Sequence, residues 1–392
     1  MTIREIDTVC FVGAGTMGCA NSLVAAVAGY NAIIYDISAE SLDQVPAKQA
    51  EMGAYLVDIG HCSAEELQAA TKRISCVSDL ATATKDADLV SESVIEELGV
   101  KRQVHAQLDE VCPEKTIQTT NTSSMLVSDI EDVVGRGDRF AALHSHLGSP
   151  LIDIVRGPRT SPETIDILTR YVESLDCAPL VLKHENRGYV LNALIGPVVT
   201  TGLLLVIEGI ASKEDVDRAW MLNRGAPMGP FGMMDLFGLN VVYDGWQHRP
   251  ADPVTDAIRP RIIDLLSGYV ERGELGAKTG KGFYDYPDPA FEQAAFLDDT
   301  SGISVPHHAL TATLIRNGVM LALTDVAEPD EIDRAWTVGM NLDVGPFALL
   351  DEMGIDNFLE LIDAQPGFMQ AAEIAAAEKY LRQREGEMRV SA

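Results

Sequence analysis

Val12-Gly13-Ala14-Gly15-Thr16-Met17-Gly18 closes an apolar run that begins at Thr8 and opens a stretch with helical spacing. Glycines at this spacing bring backbone N–H groups up to a pyrophosphate at a helix N-terminus. Gly13 permits the tight turn, Gly15 the close approach, and Gly18 the packing of helix on strand. Asp36 ends the next apolar run, eighteen residues after Gly18. Its carboxylate can accept from the hydroxyls of an adenosine ribose, and its charge repels a 2′-phosphate. Ile37 and Ser38 stand beside it where NADP would call for an arginine, so NAD is favoured over NADP. FAD uses the same fingerprint, and these residues do not separate it from NAD. The implied chemistry is dinucleotide binding by Gly13, Ala14, Gly15, Thr16, Met17, Gly18 and Asp36.

The elements that must hold such a loop are short strands alternating with helices. Thr8–Val12, Ala32–Tyr35, Leu89–Val90, Thr116–Thr119, Ala141–His144 and Leu180–Leu182 read as strands, and 17–29, 38–58, 97–111, 124–134 and 161–176 as helices. This alternation predicts an α/β Rossmann-type domain with a mostly parallel sheet. From about Gly188 the pattern turns to long apolar stretches at helical spacing without convincing strands.

That helical region repeats itself. Glu214-Asp215-Val216-Asp217-Arg218-Ala219-Trp220 recurs as Asp330-Glu331-Ile332-Asp333-Arg334-Ala335-Trp336, and Gly229-Pro230-Phe231 as Gly345-Pro346-Phe347. Both pairs share an offset of 116, and Gly202/Gly318 and Gly238/Gly354 keep the register. One offset held through Trp, Gly-Pro-Phe and Gly reads as a duplicated module. The expected domains are a Rossmann domain over 1–185, an all-α domain over 186–299 and a degenerate second copy over 300–392. From Ala371 the chain reads as a charge-rich amphipathic helix that packs late or frays.

The chain has 392 residues, 46% of them hydrophobic, enough for several packed cores. Fifty-nine acidic against thirty basic residues give a net charge of −29, which repels phosphate backbones and anionic lipid. Nucleic acid and membranes are therefore excluded as partners; a small-molecule substrate is expected. No window is apolar enough for a transmembrane helix, and the N-terminal run lacks signal-peptide architecture. Six cysteines without a Cys-x-x-Cys pair predict no metal site and a reducing cytoplasm.

Asn121-Thr122-Ser123-Ser124 follows a strand, and Ala142-Leu143-His144 ends the next one. Upstream stand Asp88-Leu89-Val90, Glu92, Glu96 and Lys101; downstream come Gly188-Tyr189-Val190-Leu191-Asn192, Met228-Gly229-Pro230-Phe231 and Lys278-Thr279-Gly280-Lys281-Gly282-Phe283-Tyr284. With these motifs the chain resembles the L-3-hydroxyacyl-CoA dehydrogenase family over nearly its whole length. The resemblance implies NAD-dependent interconversion of a 3-hydroxyacyl and a 3-oxoacyl thioester. It also implies that Asp36, Glu96, Lys101, Ser123 and Lys278 line the cofactor. His144 would be the catalytic base, with Ser123 and Asn192 near the reacting oxygen. An imidazole of pKa near 6.5 suits that task, because hydride leaves a carbinol carbon only as its hydroxyl proton is removed. The second helical copy would cover the first as an intrachain pseudo-dimer without chemistry of its own, since His308 stands at the Asn192 offset. A homo-oligomer is left open.

The family pattern breaks after His144. Leu147 and Gly148 replace an Asn-Pro turn, and Arg187 replaces a proline before Gly188. An ungapped count puts Arg156 where the family has the glutamate that orients the imidazole. Shortening the loop by three residues instead aligns Leu151-Ile152-Asp153-Ile154-Val155, with Asp153 as the partner of His144. The gapped reading is favoured, because a carboxylate raises the imidazole pKa and fixes its tautomer whereas a cation does neither. On the ungapped count Arg156 could bind a substrate carboxylate, as in a dehydrogenase of a small free hydroxy acid. His146 offers a competing base on a shifted alignment. Residues 39–66 offer only Lys48 against six acids for the phosphates of coenzyme A. A non-catalytic NAD-binding regulatory protein is the remaining alternative.

Overall fold

The computed structural model describes residues 5–249, 253–363 and 371–391. Eight strands form one sheet: β1 Thr8–Val12, β2 Asn31–Tyr35, β3 Ile74–Val77, β4 Leu89–Glu92, β5 Ile117–Thr120, β6 Phe140–Ser145, β7 Leu151–Arg156 and β8 Ala178–Leu182. Their order is β3-β2-β1-β4-β5-β6-β7-β8, parallel throughout except for the antiparallel β6–β7 pair. The order reverses between β1 and β4, the switch point outside which such sheets bind ligands. Helices α1 Thr16–Val27, α2 Ala39–Asp43, α3 Val45–Asp58, α4 Ala64–Thr71, α5 Leu80–Thr84, α6 Leu98–Val111 and α7 Pro162–Ser174 accompany the strands. Val9, Phe11, Ala25, Ile34, Leu143, Ile154 and Leu168 meet in one core; Cys10, Val12, Val90 and Leu108 form another.

Two expected elements differ. The helix over 124–134 is a pair of 3-10 turns, Val127–Asp129 and Glu131–Val133. There Thr122 Oγ1 accepts from Met125 N–H and Asp129 from Leu126 N–H, so local side chains compete with a helical ladder. The helix over 38–58 divides at Gln44, where Pro46 in the first turn of α3 restarts it. The short elements β3, α4 and α5 carry too little periodicity to be read from sequence.

Chain contacts separate two compact units: residues up to Val190 with Asp325–Ala327 and Val338–Met340, and the remainder from Leu191. The second is helical: α8 Leu191–Ile207, α9 Lys213–Arg224, α10 Pro230–Phe237, α11 Leu239–Gln247, α12 Pro253–Glu271, α13 Ser304–Leu323, α14 Pro329–Met340, α15 Pro346–Met353, α16 Ile355–Asp363 and α17 Ala371–Ser391. The repeat is physical. Asp217 accepts from the N–H groups of Phe231 and Gly232, and Asp333 from those of Phe347 and Ala348. Gly225 and Asn341 end α9 and α14 in the left-handed conformation. α8 packs on α13, where Thr201 and Thr313 share a hydrogen bond of 3.0 Å. Trp220 meets its own counterpart Trp336 edge-on at 6.0 Å. Within α17, Ala377 and Leu381 are buried.

Candidate active site

Gly13 has φ +113°, and a Cβ there would stand 2.6 Å from the carbonyl oxygen of Ser93; one on Gly18 would meet the Gly13 carbonyl oxygen at 1.8 Å. Only glycine fits either position. Gly15 caps α1 without a side-chain hydrogen bond, and a Cβ there would meet nothing within 4 Å. The first N–H groups of α1 are thus bare and approachable, as an anion requires. Asp36 accepts from Ala14 N–H and Ser38 N–H, each at 2.8 Å, which leaves lone pairs for ribose hydroxyls. These residues fit NAD. Lys48 donates to the Ala14 carbonyl oxygen at 2.8 Å, so it braces the glycine loop.

Beyond the switch point, Glu92 ends β4. Burial opposes its charge, yet His105 and Lys101, the latter at 2.7 Å, hold its pKa down to about 2. Lys101 is buried and also pairs with Glu96 at 3.2 Å. Contrary to the expectation from the family, its ammonium does not line a ligand surface; it neutralises two carboxylates inside the domain. Glu96 gathers the loop after β5, accepting from Thr122 Oγ1, from Ser123 N–H at 3.0 Å and from Ser124 N–H at 3.1 Å. Arg187 fastens the same loop through the Ser124 carbonyl oxygen at 2.9 Å and Asp129 at 3.0 Å. Ser123 is half-buried, and its carbonyl oxygen accepts from Gly188 N–H.

His144 ends the buried part of β6 and pairs across the antiparallel ladder with Asp153. Its Nδ1 lies 2.9 Å from Asp153 Oδ2. A carboxylate only accepts, so Nδ1 carries the hydrogen and Nε2 keeps its lone pair. Burial lowers the imidazole pKa below its usual 6.5, against the pull of Asp153. Asp153 is wholly buried, and hydrogen bonds from His144 and His146 hold it below its ordinary value despite that burial. Tyr189, at φ +48°, sets its ring 5.3 Å from that of His144. Asp153 Oδ1 and the Tyr189 hydroxyl are buried without a hydrogen-bond partner, the kind of unsatisfied polar atom that collects at functional sites.

Arg156 pairs with Ala141, three residues along β7 from Asp153 and toward the opposite edge of the sheet. The ungapped alignment is thereby corrected: the side chain facing His144 is a carboxylate, and Arg156 is exposed at the far end of the strand. Asn192 is half-buried in the first turn of α8, and its counterpart His308 is exposed on α13. Lys278 sits in a 3-10 turn and donates to Asn240 Oδ1 at 2.6 Å. The sequence reading assigns no role to three residues around the site. Asn21 and Asn121 hold Ser145, through Ser145 Oγ at 2.8 Å and Ser145 N–H at 2.9 Å respectively. The placement of Tyr189 against His144 has no periodic signal.

Comparison with known proteins finds relatives of the chain. The family model for the 3-hydroxyacyl-CoA dehydrogenase NAD binding domain matches residues 8–185. That for the 3-hydroxyacyl-CoA dehydrogenase C-terminal domain matches twice, over 188–286 and 308–386. The mitochondrial hydroxyacyl-coenzyme A dehydrogenase of Rattus norvegicus is 32% identical over 292 residues, 72% of this chain and 91% of its own. A solved diketoreductase, described as catalysing dicarbonyl compounds, is 33% identical with TM-score 0.66, over 72% of this chain and 99% of its own. The 3-hydroxybutyryl-CoA dehydrogenase of Escherichia coli K12 shares the fold across 97% of this chain and 98% of its own, with TM-score 0.77 at 24% identity. A nucleotide loop of this build, joined to these relatives, defines an NAD-dependent oxidoreductase acting on CH–OH groups. The chain belongs to the 3-hydroxyacyl-CoA dehydrogenase family.

Proposed function

We propose that His144 is the general base of this oxidoreductase, taking the hydroxyl proton of a 3-hydroxyacyl-CoA at Nε2. The observation that carries the assignment is the buried 2.9 Å contact between His144 Nδ1 and Asp153 Oδ2. Asp153 fixes the tautomer and stabilises the imidazolium that forms when Nε2 takes the proton. NAD, when bound, supplies the hydride acceptor. Ser123 hydrogen-bonds the reacting oxygen and stabilises the charge that develops on it. Gly13, Ala14, Gly15, Thr16, Met17, Gly18 and Asp36 hold the dinucleotide, while Glu96 shapes its surroundings.

The position of Arg156 disfavours a free hydroxy acid anchored there, and Lys48 is engaged by the glycine loop; a CoA thioester therefore meets the acidic surface of α3 and α4 without a lysine clamp. The two helical copies, 186–299 and 300–392, act as an intrachain pseudo-dimer in which the second contributes no chemistry. The Trp220–Trp336 and Thr201–Thr313 pairs support this, because each joins equivalent or near-equivalent positions of the two copies. Six free cysteines fit a reducing cytoplasm. Among the described residues no helix is long and apolar enough to cross a membrane.

The test is NADH formation with a panel of 3-hydroxyacyl-CoA esters. His144→Ala is expected to lower kcat by about 10²–10⁴-fold and Asp153→Asn by a smaller factor, with NADH binding kept. A His144→Ala enzyme as fast as the parent sinks the assignment.

A further inference from the structure

We propose that His146 is a positioning residue for this reaction: its imidazole clamps the carboxylate oxygen of Asp153 that orients His144. The inference rests on His144 being the base. His144 lies in β6, His146 follows directly after the strand ends at Ser145, and Asp153 stands opposite His144 on β7. Asp153 Oδ2 lies 2.9 Å from His144 Nδ1 and 2.9 Å from His146 Nε2. Both nitrogens therefore donate to the same acceptor. The rings meet edge to face, 4.4 Å apart at 81°.

The need for a second donor follows from the other oxygen. Asp153 Oδ1 is buried without a partner, so His144 alone would hold the carboxylate by one hydrogen bond on a torsion that is broad for aspartate. A second N–H on Oδ2 settles which oxygen faces His144. The chain builds the ring into place: Ser149 N–H closes a turn on the His146 carbonyl oxygen, Gly148 takes φ +76°, and the Tyr55 hydroxyl donates to the Gly148 carbonyl oxygen at 3.3 Å. His146 also walls a cavity of about 340 Å³ with Asn21, Tyr55, Leu143 and Tyr171. The Leu147-Gly148 turn, where the sequence departs from the family pattern, follows directly on this imidazole.

His144 is faced by Asp153 from β7, His146 from its own strand end, Glu96 from the loop after β4, and Tyr189 ahead of α8. His146 faces Asp153, with Tyr55, His61, Tyr171, Cys177 and Asp176 around the same cavity. Because His146 opposes protonation of His144, its removal raises the pH at which the base is lost.

The experiment compares His146→Phe, which keeps a ring without the donor, and His146→Gln, which keeps an N–H of similar reach. Both are read as kcat, KM and the pH profile of kcat/KM in the full chain with NAD. His146→Phe is expected to lower kcat on the order of ten- to a hundredfold, the range seen when the hydrogen-bond partner that orients a metal-bound imidazole is lost. KM for NAD should stay put while the acidic limb moves to higher pH. His146→Gln should recover most of kcat. A Phe variant with unchanged kcat and limb overturns the proposal, as does a Gln variant no better than Phe. Should the Phe variant not fold, His146→Ala against His146→Gln makes the same comparison. Full activity in His144→Ala, by contrast, removes the base assignment itself.

Discussion

His144 can serve as a base only while Nε2 is unprotonated, and the influences on that state oppose one another. Burial lowers its pKa and Asp153 raises it, with the net direction downward. The active form therefore persists through neutral pH, and kcat/KM for hydroxyacyl oxidation is expected to stay level until the pH drops below about 6.5. Asp153→Asn removes the raising influence, so its acidic limb should lie at lower pH than the parent's although its kcat is smaller. A limb that moves up in this variant contradicts the electrostatic account. Much of the site's outline could be read from residue order. The apolar-apolar-Asp pattern at Leu151–Asp153 places a carboxylate opposite His144, and the glycine spacing marks the dinucleotide loop. Other features depend on tertiary packing that no local pattern carries. Lys101 reads as a cofactor contact until the fold buries it between Glu92 and Glu96. His146 reads as a rival base until the fold brings both imidazoles to one oxygen of Asp153.

The elements that repeat share a stabilising device. Asp217 accepts from two N–H groups at the start of α10 and from the Tyr284 hydroxyl at 3.0 Å, wholly buried. Asp333 accepts from two N–H groups at the start of α15 and is half-buried. Removing either carboxylate leaves helix-start donors unpaired, at a cost of about 1–3 kcal/mol for each buried one. Urea unfolding should therefore show Asp217→Ala losing about 3 kcal/mol or more, and Asp333→Ala about half as much. Equal losses would mean that the second copy is as tightly closed as the first. The duplication was legible because these capping residues, glycines and tryptophans are fixed by geometry. The 3-10 turns after Ser124 were not, since the same serines and aspartates that suggest a helix start also pull the backbone away from one.

For the whole molecule the dominant quantity is the charge of −29. Coenzyme A is itself polyanionic, and the described surface of α3 and α4 presents Glu51, Asp58, Glu65 and Glu66, with Lys48 turned inward on Ala14. Repulsion of this kind is screened over a Debye length that shrinks from about 10 Å at 0.1 M salt to about 3 Å at 1 M. Raising KCl across that range should lower KM for a CoA ester severalfold and leave an uncharged truncated thioester unaffected. A KM that climbs with salt would reveal a basic CoA site that these acids conceal. The paired helices α8 and α13 bear on the molecule in another way. Tethered on one polypeptide, the two modules meet at a local concentration that short linkers hold near the millimolar range, whatever the bulk concentration. Dilution that would scatter a pair of separate subunits leaves this contact intact.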